Sequence, residues 1–175
     1  MLFRSELVLT ILSQHTSDLT AERAFTALRG RFPTWEAVLG AREATLAATI
    51  RSGGLANVKA KRIRAVLREV LDRRGDLDLG FLAALPDEDV FAFLASLPGV
   101  GPKTAAVVMA FSLGRDTIPV DTHVHRVTTR LGLVPAKATA VKAQALLEEA
   151  VPTRLKTRFQ DRKSTRLNSS HVKRS

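Results

Sequence analysis

The stretch LPGVGPKT, residues 97–104, puts two glycines and two prolines into eight residues between two apolar runs of helical period. No helix can run through it. Pro98 closes the run over residues 87–95, Gly99 and Gly101 allow the chain to reverse, and Pro102 suits the first turn of the helix that follows. The fold must therefore contain a helix-hairpin-helix whose tip is nearly bare backbone. Glycine in such a tip can take positive φ and leaves several N–H groups facing outward at a helix N-terminus, an arrangement that holds a phosphate. An ordinary αα-hairpin that needs glycine only to turn reads the same way.

The rest of the chain repeats the helical period. Ile63, Val66, Leu67, Val70 and Leu71 form one buried stripe, and Lys61, Arg62, Arg64 and Arg68 between them read as a solvated face. Further helices are predicted over residues 6–14, 20–31, 34–39, 42–50, 87–95, 103–113, 122–132 and 138–150, with Gly and Pro at the breaks. No strand pattern competes, so the fold class is all-α. With 175 residues the chain is one domain, or one domain and part of a second, and its 45% hydrophobic and 25% charged residues are those of an ordinary globular protein. No apolar run approaches the roughly 20 residues of a membrane-spanning helix, and no secretory signal opens the chain, so no membrane association and a cytoplasmic location are expected. The absence of cysteine leaves no thiolate metal site, and no metal is expected.

A net charge of +10 suggests a polyanionic partner. Half of that charge comes from the two ends. Asp161 to His171 back-translate to a common sequencing-library adapter, and Leu2 to Ser5 to the reverse strand of its start. Residues 1–5 and 161–175 are therefore expected to be foreign to the fold. What remains is still basic.

Lys103 falls in the first turn of the helix after the hairpin, where the helix dipole disfavours a second positive charge. An amine that is also desolvated there gives up its proton more readily, and a neutral amine is a nucleophile. Eighteen residues on, VDTHVHR sets Asp121 at another helix start. Asp121 reads as an N-cap, or as an acid/base partner of Lys103 across two adjacent helix starts.

LPGVGPKTAAVV followed by VDTHVHRVTTRLGL, with ILSQHTSD before them and GGLANVKAKRI between, resembles the endonuclease III branch of the HhH-GPD DNA glycosylases over residues 6–160. The resemblance implies a six-helix body with the helix-hairpin-helix over residues 6–115 and part of a second helical lobe over 116–160. It implies a monomeric enzyme of base-excision repair, nucleoid-associated if bacterial, acting on duplex DNA with damaged bases or abasic sites. Lys103 would attack C1′ of the sugar, expel an oxidised pyrimidine and form a Schiff base, and β-elimination would then cut the strand. Asp121 would stabilise the developing sugar cation. The backbone of Gly99, Val100 and Gly101 would hold a phosphate. Two other readings stand beside this one: a hairpin module that binds DNA without chemistry, and a lyase that acts on abasic sites alone.

Base flipping leaves a gap in the stack. Leu55 in SGGLAN could wedge into it, or could cap the next helix, and Gln14 or His15 in LSQHTSD could plug it. Gln14 could equally bond backbone at a helix end. His123 and His125 lie two apart on a helix and face different ways, which favours structural roles over metal ligation. Endonuclease III relatives usually carry four cysteines for a 4Fe–4S cluster beyond the point where native-like sequence stops here. The expectation is a truncated gene whose intact parent binds the cluster and whose product here does not. Such a fragment should leave Val127, Leu131, Leu146 and Val151 short of partners and be marginally stable.

Overall fold

Side-chain caps, glycines in the left-handed region and apolar stripes cut the chain into short helices, as seen in the computed structural model, which describes residues 2–152 and 155–156. The helices are α1 (Leu2–Ser13), α2 (Asp18–Arg31), α3 (Trp35–Gly40), α4 (Glu43–Thr49), α5 (Ala56–Arg74), α6 (Asp87–Ala95), α7 (Pro102–Leu113), α8 (Thr122–Arg130) and α9 (Ala140–Ala150). Single 3₁₀ turns occupy Arg51–Gly53 and Gly80–Ala84. No strand occurs among the described residues. Ser17, Thr34, Asp121 and Thr139 cap α2, α3, α8 and α9 by accepting from backbone N–H groups in the first turn. Gly75 and Gly114 end α5 and α7 at φ 78° and 61°.

Two apolar cores result. The larger runs from Leu7 and Ile11 on α1 through Leu28, Leu46, Ile63 and Val66 to Leu94, Val108 and Met109. In it α1 packs on α2, α5 and α7, α4 on α5, and α6 on α7. The smaller consists of Ile118, Val120, Val134, Ala143 and Leu147. Helix α1 starts earlier than its pattern predicts, at Leu2, and Phe3 packs half-buried on the large core. The sequence from 161 onward lies outside the described residues. No helix among the described residues is long and apolar enough to cross a membrane.

The stripe on α5 behaves as predicted for Ile63, Val66, Leu67 and Val70, with Leu71 half-buried. Two of its cations do not form a solvated face. Arg62 is half-buried and its Nη1 donates to Gln14 Oε1, while Arg64 lies half-buried with Nη1 4.0 Å from Glu43. Of the residues expected to lack partners, Val127 and Leu131 are exposed, but Leu146 is half-buried and Val151 packs on the small core, because α9 turns that side inward.

Candidate active site

The hairpin is anchored from below. Leu97 and Val100 are buried at 2% and 4% exposure, and the Val100 N–H donates to the Leu97 carbonyl at 3.1 Å. Val100 therefore spends its N–H inside the turn and offers none outward, which corrects its assignment to a phosphate nest. The N–H groups of Gly99 and Gly101 have no protein acceptor among the described residues. Gly99 needs to be glycine on two counts. Its φ is 72°, and a Cβ there would overlap the Arg62 side chain lying against it. Gly101 has φ −88° and open space around it, so its value is a bare helix N-terminus rather than an unusual conformation.

Behind the hairpin, α7 buries Thr104, Ala105, Ala106, Val108 and Met109 and so fixes Lys103, its second residue, at the mouth of a cleft of about 1020 Å³. The far wall of that mouth is built by the chain leaving α7. Thr117 is buried and its hydroxyl donates to the Ala106 carbonyl at 2.9 Å, and Ile118 and Val120 enter the small core. This extended segment delivers Asp121 to the start of α8.

The carboxylate of Asp121 divides its work. Oδ1 accepts from the N–H groups of His123 at 3.0 Å and Val124 at 2.8 Å, while Oδ2 stands 3.3 Å from Lys103 Nζ. Asp121 is thus an N-cap through one oxygen and stands within reach of Lys103 through the other. An exposed ion pair contributes at most about 1 kcal/mol, and Lys103 is 48% exposed. An N-cap contributes about 0.5–2 kcal/mol. The cap, more than the pairing, therefore fixes the carboxylate. Partial burial would raise its pKa, but the Val124 N–H, the charge and hydrogen bond of Lys103 and the His123 N–H together hold it below the ordinary aspartate value. In the free chain Lys103 is only partly desolvated, since half of its side chain meets solvent.

Gln14, one residue past α1, donates Nε2 to Thr104 Oγ1 at 3.2 Å, while its Oε1 takes the Arg62 bond. Its side chain thus bonds other side chains rather than the backbone of a helix end. His15, next in line, is exposed on the cleft with φ 55°. Leu55 has φ 49° and is 56% exposed. Among the described residues these two are the non-glycines with positive φ, a conformation that costs a side-chain-bearing residue about 1–2 kcal/mol. Strain of this kind gathers at functional sites. Leu55 is the N-cap residue of α5, its carbonyl accepting from the Lys59 N–H at 2.9 Å, while its side chain stays exposed.

Lys59, which the sequence reading passed over, ties the two strained segments together. It is 2% exposed, and its Nζ donates to the Leu12 carbonyl at 2.6 Å and the Gly53 carbonyl at 2.7 Å. Those carbonyls lie three residues before His15 and two before Leu55. Burial lowers the pKa of the amine. Its signal was available, since position 59 continues the α5 stripe one turn before Ile63 and a lysine there must find acceptors in the core.

Neither histidine of α8 has ligand company. His125 Nε2 pairs with the Ala138 carbonyl at 2.9 Å and His123 Nδ1 with Arg126 at 3.1 Å. Among the described residues no group of three or more His, Cys, Asp or Glu side chains is arranged to hold a metal ion.

The family profile described as HhH-GPD superfamily base excision DNA repair protein matches residues 8–153. An Arabidopsis thaliana protein whose name gives it as a putative DNA glycosylase is 40% identical over 150 residues, 86% of this chain and 51% of that one. Endonuclease III of Rickettsia conorii is 36% identical over 142 residues, 81% of this chain and 63% of its own. A trapped endonuclease III–DNA covalent intermediate superposes with a TM-score of 0.68 at 29% identity, covering 85% of this chain and 65% of that one. A Clostridium acetobutylicum 8-oxoguanine glycosylase/lyase with bound DNA shares the fold, with a TM-score of 0.69 at 20% identity over 89% of this chain and 56% of the other. The chain spans between half and two thirds of the length of these proteins.

Proposed function

The chain belongs to the HhH-GPD superfamily of base excision DNA repair proteins, and from that membership we propose that it is a DNA N-glycosylase with abasic-site lyase activity. Its substrates are oxidised pyrimidines in duplex DNA. One observation carries the reading: an amine and a carboxylate 3.3 Å apart at two helix starts, in a cleft beside a glycine hairpin. Binding DNA without chemistry requires the hairpin and basic surface but not this pair.

In the proposed reaction the N–H groups of Gly99 and Gly101 and the charge of Arg62 grip the strand through its phosphates. The damaged nucleotide turns out into the cleft, Leu55 enters the gap from one side and His15 from the other. Gln14, already bonded to Thr104 and Arg62, steadies the cleft wall instead of plugging the stack. DNA lying over the mouth supplies the desolvation that Lys103 lacks in the free chain. The amine passes its proton to solvent or to the departing base, attacks C1′ and forms the Schiff base from which β-elimination follows. A carboxylate with a lowered pKa is a weak base, so Asp121 acts mainly by staying ionised beside the positive charge that grows on the sugar.

The resemblance implies a 4Fe–4S cluster in a longer relative. With no cysteine, this chain has no thiolate donors for one, and the reaction above involves no cluster.

Borohydride trapping tests the proposal. The chain should cross-link to duplexes carrying an oxidised pyrimidine or an abasic site and not to undamaged duplex, and Lys103→Ala should abolish both cross-links while leaving the thermal melt within a few degrees. Trapping on abasic duplex alone would reduce the activity to a lyase, and no trapping on any duplex would reduce the chain to a binding module.

A further inference from the structure

Packing fixes α7 and with it Lys103, but the hairpin tip beside it is held more loosely. Pro98, Gly99 and Gly101 are exposed, and Leu97 and Val100 hold the turn from below. Glycine allows such a tip a wide range of backbone conformations. A strand gripped by its N–H groups would share that freedom, yet a misplacement of about 1 Å costs an oriented reaction on the order of a hundredfold. Something has to hold the tip at a set distance from the amine.

Arg62 does so. Its Cγ, Cδ and Nε lie against Gly99, so close that a Cβ there has no room. Its Nη1 donates to Gln14 Oε1, and Gln14 Nε2 donates to Thr104 Oγ1 at 3.2 Å. Thr104 is buried in the first turn of α7, next to Lys103. These contacts close a circuit that runs from Gly99 over Arg62, Gln14 and Thr104 to Lys103, and returns along the chain through Pro102 and Gly101. The charge of Arg62 meanwhile has no answer inside the protein. The residue is half-buried, and no carboxylate of a described residue lies within ion-pair distance of it, whereas Arg64 and Arg73 on the same helix pair with Glu43 and Glu69. Its partner in the fold is a neutral amide. Partial burial of a cation without a counter-ion costs stability, and a phosphate resting on the tip would supply one.

Resting on the lyase chemistry proposed above, we infer that Arg62 is a positioning residue as well as a phosphate contact: through Gln14 and Thr104 it locks the hairpin tip, and the strand the tip holds, to the turn of α7 that carries Lys103. A guanidinium suits this task because its donors point in fixed directions within one plane. One can stay on Gln14 while others meet the phosphate. A lysine would bring the charge as a point and fix no direction.

Two measurements separate position from grip: affinity for a duplex with an unreactive tetrahydrofuran abasic analogue, and the single-turnover rate of cleaving an abasic duplex at saturating folded protein. Gln14→Leu breaks the link and leaves the Arg62 charge, so affinity should stay within about threefold while the saturating rate falls about tenfold. Arg62→Lys should behave in the same way. Arg62→Met removes charge and link together, so affinity and rate should both fall, and adding Gln14→Leu to it should lower the rate no further, because the two residues act as one unit. Saturating rates within twofold of the unsubstituted chain in Gln14→Leu and Arg62→Lys would overturn the inference and leave Arg62 a phosphate contact only. Rate losses that multiply in the double variant would overturn it as well. If the unsubstituted chain cleaves no abasic duplex, the lyase reading itself has failed and the inference falls with it.

Discussion

The body from α1 to α7 and the lobe of α8 and α9 bury their residues very differently. Leu7, Ile11, Leu28, Leu46, Ile63 and Leu94 are all at 1% exposure or less, whereas α8 contains no buried residue, and Val127, Leu131, Leu133 and Val141 are 48–67% exposed. The two halves of the proposed reaction centre come from these unequal settings. Lys103 rides on a helix whose neighbouring turns are packed solid, so packing positions it. Asp121 begins a helix with no fully buried residue, which meets the small core through half-buried Val124, and hydrogen bonding adds to the anchor of buried Val120 in positioning it: the two N–H groups it caps and the Thr117 tether a few residues earlier. A reaction centre can thus be held mainly by tight packing on one side and, on the other, by directed polar contacts over a thinner core.

The comparison breaks most readily in the cores. Ile11→Ala, at a fully buried site of the large core on α1, should lower unfolding free energy by about 2–5 kcal/mol in urea titrations. Leu147→Ala in the small core should cost less, because the open surface of the lobe lets the site collapse. Equal losses at the two positions would mean the lobe is as tightly packed as the body. Next comes Lys59→Met. It keeps the length of the side chain but strips the Leu12 and Gly53 carbonyls of a charged donor, a loss of about 1.5–3 kcal/mol. Since both strained segments hang on that amine, affinity for DNA should fall with it, and a stable variant that binds DNA as before would show that His15 and Leu55 hold their conformations unaided.

Asp121 tests the other side. Asp121→Ala should cost about 0.5–2 kcal/mol through the lost cap, whereas Asp121→Asn keeps the cap and most of the stability but loses the charge beside Lys103. The folded carboxyl has a pKa below its unfolded value, so between the two the unfolded chain binds more protons. Its contribution is therefore complete above the ordinary aspartate value and is lost as pH falls through the lower folded value. Melts taken down this acid range should show that loss in the parent and not in Asp121→Asn. If Asn destabilises as much as Ala at neutral pH, hydrogen bonding is not what holds the residue.

Sequence alone made the hairpin, the α5 stripe and the helix-start positions of Lys103 and Asp121 legible because each rests on local rules: glycine conformations, helical period, capping at a helix start; their pairing came from the family resemblance. Long-range relations were the ones it missed. Arg62 reads as a surface cation until α1 brings Gln14 to it and the hairpin lies across its side chain. Lys59 looks like one more charge in a basic helix until the 3₁₀ turn and the end of α1 present their carbonyls. Val100 was placed in the phosphate nest with its glycine neighbours because a turn's internal hydrogen bond has no residue signature.

The smallest effect is expected on the surface of the lobe. Leu131 follows the last turn of α8 at 67% exposure, and Val127, one turn earlier, is 50% exposed. Apolar atoms that already meet water contribute little to folding, so Leu131→Gln should change the unfolding free energy by no more than about 0.5 kcal/mol. The same change shrinks an exposed apolar patch, and it should shift sedimentation of a concentrated sample toward the monomer. A loss of 2 kcal/mol or more would mean that Leu131 is covered in solution. The lobe would then be held by packing as the body is, and the contrast between the two settings of the reaction centre would disappear.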